Sequence, residues 1–138
     1  LALVHAGVGA CHALSYPLGG MFGVGHGVGN ALLMPHVIRA NAFSCPDRYT
    51  DVLKWLGYIE DETKVNPRDG ALMCAEAFDE LLEDLELPAT LESLGVGITN
   101  KYFAEMAEKA LAVSRPMENN PRPFDKELCI KIYEEAMR

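Results

Sequence analysis

Apolar residues recur at helical spacing through most of the chain. Two sets follow the i, i+3, i+4, i+7 pattern that places side chains on one face of a helix: Tyr49, Val52, Leu53 and Leu56, and Cys74, Ala77, Phe78, Leu81, Leu82 and Leu85. Sustained alternation of apolar and polar residues, which is typical of a half-buried strand, does not occur in the sequence. The pattern therefore predicts an all-α chain, a bundle of several helices.

Local signals predict where these helices begin and end. Asn66-Pro67 suits the cap and first turn of a helix that Pro88 ends, and Asp125 suits the N-cap of the last helix. Between them, residues 103–111 form another apolar face, and residues 116–123 read as a proline-rich loop. Residues 47–138 are thus expected to form a series of amphipathic helices.

Residues 1–46 have a different composition. They hold all four histidines and eight of the twelve glycines, with one arginine and no acidic residue, whereas residues 47–138 hold 20 acidic and 11 basic residues. A segment with so little charge is predicted to be mostly buried. We expect two helices here, joined by a glycine-rich connector over residues 15–25.

Length, charge and cysteines limit the class of protein. The 138 residues suit one domain, although Leu1-Ala2-Leu3-Val4 reads as the continuation of a longer chain. A net charge of −8 without a basic stripe argues against nucleic acid as a partner, and the apolar runs are too short for a membrane span. Four cysteines without CxxC pairing indicate packed, reduced thiols in a cytoplasmic protein: Cys11, Cys45, Cys74 and Cys129.

Two histidines flank the predicted connector. His12 and His26 are 14 residues apart and come together if the connector doubles back, and neutral imidazoles bind Zn(II) or Fe(II). Such sites need further ligands, and residues 1–46 contain no carboxylate. His5 is two helical turns from His12, about 10.5 Å along the axis, so we interpret it as a core or interface residue. His36 is interpreted as a structural imidazole.

Two motifs resemble the iron-containing (group III) alcohol dehydrogenase family: HALSYPLGG at residues 12–20 and HGVGNALLMPHV at residues 26–37. The similarity continues through residues 49–57 and 98–112 to the loop Asn120-Pro121-Arg122. The resemblance implies that residues 1–138 are one helical domain, the C-terminal metal-binding part of a dehydrogenase. In that family an N-terminal α/β domain, absent from this sequence, binds NAD or NADP and gives the metal an Asp and a His.

The family resemblance also implies roles for individual residues. His12 and His26 would complete the shell of a divalent metal, with Fe(II) favoured and Zn(II) as the alternative. The parent enzyme would pass a hydride between a small alcohol or aldehyde and the nicotinamide. Phe22 is a candidate for the wall of the substrate pocket, and core packing explains an aromatic residue there equally well. The family further suggests a homo-oligomer, and the chain without its N-terminal domain is expected to be inactive.

Tyr16 departs from the commonest family pattern, in which a second histidine precedes the proline. Its hydroxyl is a candidate catalytic group that hydrogen-bonds substrate or cofactor. An ordinary pKa of about 10 makes a phenol a poor proton acceptor near neutral pH. A structural role, with the aromatic ring closing the end of the helix, explains the residue equally well.

Two other functions remain open from the residues. In a self-contained helical interaction module, residues 1–46 would form a protein interface and the histidines would be incidental. In a small two-histidine metalloprotein, acidic ligands would come from residues 47–138, where no spacing selects any. The dehydrogenase interpretation differs from the interaction module in predicting that metal affinity rises when the other domain is supplied.

Overall fold

The computed structural model describes residues 2–42, 46–57, 59–60, 65–112 and 125–138. These residues form six α-helices: α1 (Ala2–Phe22), α2 (His26–Asn41), α3 (Pro46–Trp55), α4 (Pro67–Asp84), α5 (Phe103–Leu111) and α6 (Lys126–Ala136). Two 3-10 turns, Glu92–Leu94 and Asn100–Tyr102, lie between α4 and α5. The described ranges contain helices and no strand, which confirms the prediction of an all-α fold. None of these helices has the length and apolar character that crossing a membrane requires.

Some sequence predictions lie outside the described residues. They concern Cys45, the side chain of His5, and residues 116–123, which include Asn120-Pro121-Arg122 and were predicted to form a proline-rich loop.

Helix α2 lies between two apolar cores. On one side it packs with α1 and α6, and α5 packs with both of these, around a core that includes Leu14, Leu33 and Tyr133. On the other side it packs with α4, and α4 packs with α3, around a core that includes Ile38 and Leu53. Because α2 contributes to both cores, it buries apolar residues on more than one face, and this explains why only Arg39 in it carries a fixed charge.

Two helix starts follow the predicted capping signals. The Asn66 side chain accepts a hydrogen bond from the backbone N–H of Arg68 at 3.0 Å, with Pro67 as the first residue of α4. The Asp125 side chain accepts one from the N–H of Leu128 at 2.7 Å, at the start of α6. Each cap satisfies a backbone donor that the helix itself leaves unpaired, a contribution of about 1 kcal/mol.

The prediction of a connector over residues 15–25 is wrong. Helix α1 continues through Pro17 and both following glycines to Phe22, and only residues 23–25 separate it from α2. Leu14 and Leu18, one turn apart on α1, are fully buried, so their packing outweighs the weak helix propensity of Pro17 and the glycines. Gly23, at φ +69°, ends the helix, since its left-handed backbone suits glycine.

The burial predicted for residues 1–46 is confirmed only in part. From Ala10 to Leu18 most side chains of α1 are buried, and so are most of those in the middle of α2. Residues 19–27 are instead exposed or half-buried. Five of these nine residues are glycines, so the low charge here reflects small residues rather than burial. We call residues 19–27 the glycine-rich turn.

Three cysteines are packed thiols, as predicted. Cys11, Cys74 and Cys129 are buried and form no disulfide. Burial raises the pKa of Cys11 to about 12 and the pKa values of the other two to about 11, because the apolar surroundings disfavour the thiolate. These thiols are therefore protonated near neutral pH and act as small apolar groups in the cores.

Helix α4 ends with Glu86 in the left-handed backbone region, at φ 55°. The N–H of Glu86 donates to the Glu83 carbonyl and the N–H of Leu87 donates to the Leu82 carbonyl, a Schellman motif that usually has glycine in the position of Glu86. A side chain in this conformation costs about 1 kcal/mol. We expect Glu86→Gly to raise the free energy of unfolding by about 1 kcal/mol, measured by urea denaturation.

Glu86→Ala is the matched control for this prediction. It removes the same carboxylate but keeps the Cβ atom, so the strain should remain and the gain should be much smaller. An equal gain from alanine would contradict the explanation, because it would trace the effect to a negative charge at the C-terminus of a helix.

Candidate metal centre

The side chains of His12 and His26 meet at the end of the glycine-rich turn, which includes His26. His12 lies on α1 and His26 is the first residue of α2. The Nδ1 atom of His12 lies 2.9 Å from the Nε2 atom of His26, and the two rings stack with their centroids 4.8 Å apart. The structure thus brings these histidines together, through a three-residue turn instead of the longer predicted connector. We call them the histidine pair.

The spacing of the two ring nitrogens fits two ligands of one metal ion. Ligands about 2.05 Å from an ion are about 2.9 Å apart at right angles and about 3.3 Å apart at the tetrahedral angle. His12 Nδ1 and His26 Nε2, 2.9 Å apart, lie at the short end of this range. Without a proton or a cation between them, two imidazole lone pairs at this distance would repel. His26 is exposed and His12 half-buried, so a metal ion can reach the pair.

Burial lowers the pKa of His12, and the charge that His26 carries when protonated lowers it further. Both effects favour the neutral imidazole, and a neutral imidazole is the form that binds metal ions.

Ser15 on α1 and Asn30 on α2 form hydrogen bonds next to the histidine pair. The Asn30 Nδ2 atom donates to His26 Nε2 at 3.1 Å, and the Ser15 hydroxyl lies 2.9 Å from both Asn30 Oδ1 and the His12 carbonyl oxygen. The Cys11 thiol also donates to the Asn30 carbonyl oxygen, at 3.2 Å. Asn30 and Ser15 were not among the predicted site residues.

A sequence signal for these two residues exists. Ser15 follows His12 by three positions and Asn30 follows His26 by four, and side chains at these spacings are neighbours on a helix surface. The contact between Ser15 and Asn30 themselves depends on how α1 and α2 pack, which the spacing within each helix does not reveal.

The histidine pair offers two nitrogen donors. Among the described residues, no group of three or more His, Cys, Asp or Glu side chains is arranged to hold a metal ion. Two imidazoles make half of a four-coordinate set.

The other sequence candidates lie at different distances from the pair. Tyr16 is one turn after His12 on α1, 52% exposed, with its ring centroid 6.2 Å from that of His26. Phe22 packs edge to face against Tyr102, with centroids 5.3 Å apart, so a packing role accounts for it. His36 follows His26 by ten residues on α2, about 15 Å along the axis, and is half-buried. Burial lowers its pKa, with a smaller contribution from Arg39.

Comparison with known proteins identifies the family. A family model that describes the C-terminal part of the iron-containing alcohol dehydrogenases matches residues 1–137. The chain is 32% identical over 136 residues to 1,3-propanediol dehydrogenase of Citrobacter freundii, covering 99% of this chain and 34% of that protein. It is also 32% identical over 136 residues to long-chain-alcohol dehydrogenase 1 of Geobacillus thermodenitrificans, covering 99% of this chain and 33% of that protein.

A solved structure shows the same fold. The alcohol dehydrogenase from Oenococcus oeni superposes with a TM-score of 0.83 at 32% identity, covering 91% of this chain and 32% of that one. The chain spans about a third of the length of the curated relatives it matches. With a family model that matches nearly every residue and relatives above 30% identity, the chain belongs to the iron-containing alcohol dehydrogenase family and corresponds to its C-terminal region.

Proposed function

We propose that this chain supplies two ligands, His12 and His26, to the divalent metal of an NAD(P)-linked alcohol dehydrogenase. The observation that carries the proposal is the 2.9 Å separation of their ring nitrogens in a chain of this family. Fe(II) is the favoured metal because the family is iron-containing. Zn(II) is the alternative because imidazole suits both ions. An N-terminal domain would contribute the remaining ligands and bind most of the NAD or NADP.

The metal, when bound, supplies a Lewis acid that stabilises an alkoxide oxygen while hydride passes between the carbinol carbon and the nicotinamide. The residues of this chain act around that chemistry. His12 and His26 fix the position of the ion from one side. The glycine-rich turn contains His26 and five glycines, and these glycines suit close approach of a substrate or of the other domain.

Tyr16 is the residue of this chain best placed to contact the substrate or the cofactor. It is exposed on the side of α1 that carries His12, and its ring approaches His26. Its hydroxyl can donate a hydrogen bond to an oxygen of the reacting molecule. We propose this orienting role and not that of a general base.

The test compares the chain alone with the chain joined to the N-terminal two thirds of the Citrobacter relative. We expect no NAD(P)-linked turnover of 1,3-propanediol by the chain alone, since it spans about a third of its relatives. The joined protein should bind Fe(II) or Zn(II) more tightly than the chain alone and should regain turnover. Robust turnover by the chain alone, or a folded joined protein whose metal affinity does not rise, would contradict the proposal.

The second outcome would favour the interaction module, in which the histidine pair has no metal to hold. The same joined protein carrying His12→Ala controls for metal that binds elsewhere in the N-terminal part.

A further inference from the structure

We propose that Ser15 and Asn30 form a brace that positions His26 opposite His12. The brace runs from α1 to α2: the Ser15 hydroxyl donates to Asn30 Oδ1, and Asn30 Nδ2 donates to His26 Nε2. Asn30 would be a positioning residue and not a metal ligand. The consequence of the brace for metal affinity rests on the proposed function, whereas its effect on the two rings does not.

The brace depends on close packing of the two helices. Gly29 is buried on α2, and a Cβ atom added there would lie 3.3 Å from the Ser15 Cβ and 3.5 Å from a methyl of Leu18. The absence of a side chain at Gly29 therefore lets Ser15 approach the next residue, Asn30. Ser15 is 3% exposed, so its hydroxyl is removed from water and its hydrogen bonds are made within the protein.

His26 needs an external contact to hold its orientation. It is the first residue of α2, and because its ring is exposed, packing holds it less firmly than a buried side chain. Asn30 lies one helical turn further on and bonds the same nitrogen, Nε2, that faces His12. This contact selects the ring orientation in which Nε2 points toward His12.

The brace also tolerates the loss of the Nε2 lone pair to a cation. An imidazole nitrogen has one lone pair, so Asn30 and a metal ion compete for it. If the Asn30 amide turns over, its N–H donates to the Ser15 oxygen and its carbonyl oxygen faces His26. The Ser15 proton then serves the His12 carbonyl alone, at the 2.9 Å distance it already has. A hydroxyl both donates and accepts, so Ser15 stays bonded to Asn30 in both arrangements.

The first test needs no metal. In the metal-free chain, ring centroids 4.8 Å apart should give nuclear Overhauser effects between the ring protons of His12 and His26. We expect Asn30→Ala to weaken them strongly and Ser15→Ala to weaken them less, since Asn30 keeps its contact with His26 in the second variant. Asn100→Ala and Ser93→Ala remove an exposed amide and an exposed hydroxyl outside α1 and α2 and should leave them unchanged.

The second test measures Co(II) affinity by titration of its absorption spectrum. We expect Asn30→Ala to lower the affinity of the chain far less than His26→Ala does, because Asn30 orients the His26 ring but also competes with the ion for the Nε2 lone pair. Combined with His26→Ala, the Asn30 change should cause no further loss, because the residue it positions is gone. Far-ultraviolet circular dichroism checks that each variant is folded. If Asn30→Ala does not fold, Ser15→Ala takes its place in both tests.

The outcomes separate the brace from the proposed function. Ring contacts that survive both Asn30→Ala and Ser15→Ala would overturn the brace and leave the two-histidine proposal standing. A loss of Co(II) affinity from Asn30→Ala as large as that from His26→Ala would make Asn30 a ligand and overturn its positioning role. Ring contacts that depend on Asn30 in a chain without affinity for Co(II) would support the brace and overturn the proposed metal role.

Discussion

Replacing His26 with alanine is expected to lower the Co(II) affinity of the chain by about 100-fold, because losing a ligand should cost at least as much as losing a group that orients one, about 10–100-fold. The ring nitrogens of His12 and His26 are 2.9 Å apart, so one ion can bind both. With His26 removed, a single half-buried imidazole remains, and it binds as weakly as an isolated histidine. His12→Ala should have the same effect, measured by Co(II) titration near neutral pH.

The double variant distinguishes a shared site from two separate ones. Losing both histidines should cost little more than losing one, because a single variant already destroys the two-ligand site. His36→Ala is the matched control, since His36 lies on α2 about 15 Å along the axis from His26. Equal losses from His36→Ala and His26→Ala would show that Co(II) binds imidazoles at random and would contradict the site.

The second large effect is expected where α3 meets α4. Gly70 is buried in the first turns of α4, and a Cβ atom added there would lie 2.3 Å from the Thr50 Oγ1 and 3.1 Å from its Cβ and Cγ2. Thr50 is 3% exposed, and its hydroxyl donates to the Pro67 carbonyl at 3.2 Å. A short, branched and buried side chain cannot swing aside, so α3 and α4 would have to separate.

Gly70→Ala is therefore expected to lower the free energy of unfolding by about 2 kcal/mol, within the range for overpacked cores. The gain of up to about 1 kcal/mol that alanine brings to a helix interior is already included in this net value. Guanidinium denaturation of the chain measures the change.

Two variants test the cause of that loss. In a Thr50→Ala background the clashing oxygen and methyl are gone, so Gly70→Ala should cost much less than in the wild type. Gly20→Ala is the matched control, because Gly20 lies within α1 with nothing within 4 Å of an added Cβ, and it should stabilise the chain. A Gly70→Ala variant as stable as Gly20→Ala would contradict the packing argument.

The helical class of the fold could be predicted from the sequence because apolar periodicity and capping residues act locally. Asn66 and Asp125 cap helices where the sequence indicates, since each cap needs only residues two or three positions away. The connector could not be predicted in the same way. Pro17 and the glycines after it signal a turn, and only the packing of Leu14 and Leu18 against other helices keeps α1 intact.

The candidate site could also be predicted only in part. The motif predicted His12 and His26 as a pair, and the structure shows their approach. Ser15 and Asn30 went unrecognised because their contact forms only where α1 and α2 touch at Gly29. The metal itself and the role of Tyr16 stay predictions, because they depend on groups that the N-terminal domain would supply.

The hydrogen bond between α6 and α1 has a consequence for the order of folding. The Tyr133 hydroxyl is buried and donates to the Leu14 carbonyl oxygen at 2.6 Å, across 119 residues of sequence. It bonds the carbonyl next to that of Ala13, which has no helical donor because Pro17 lacks an N–H. Contacts between residues so distant in sequence close large loops and form late in folding. The helix that carries His12 is therefore synthesised before α6 and reaches its final packing only after α6 docks on it.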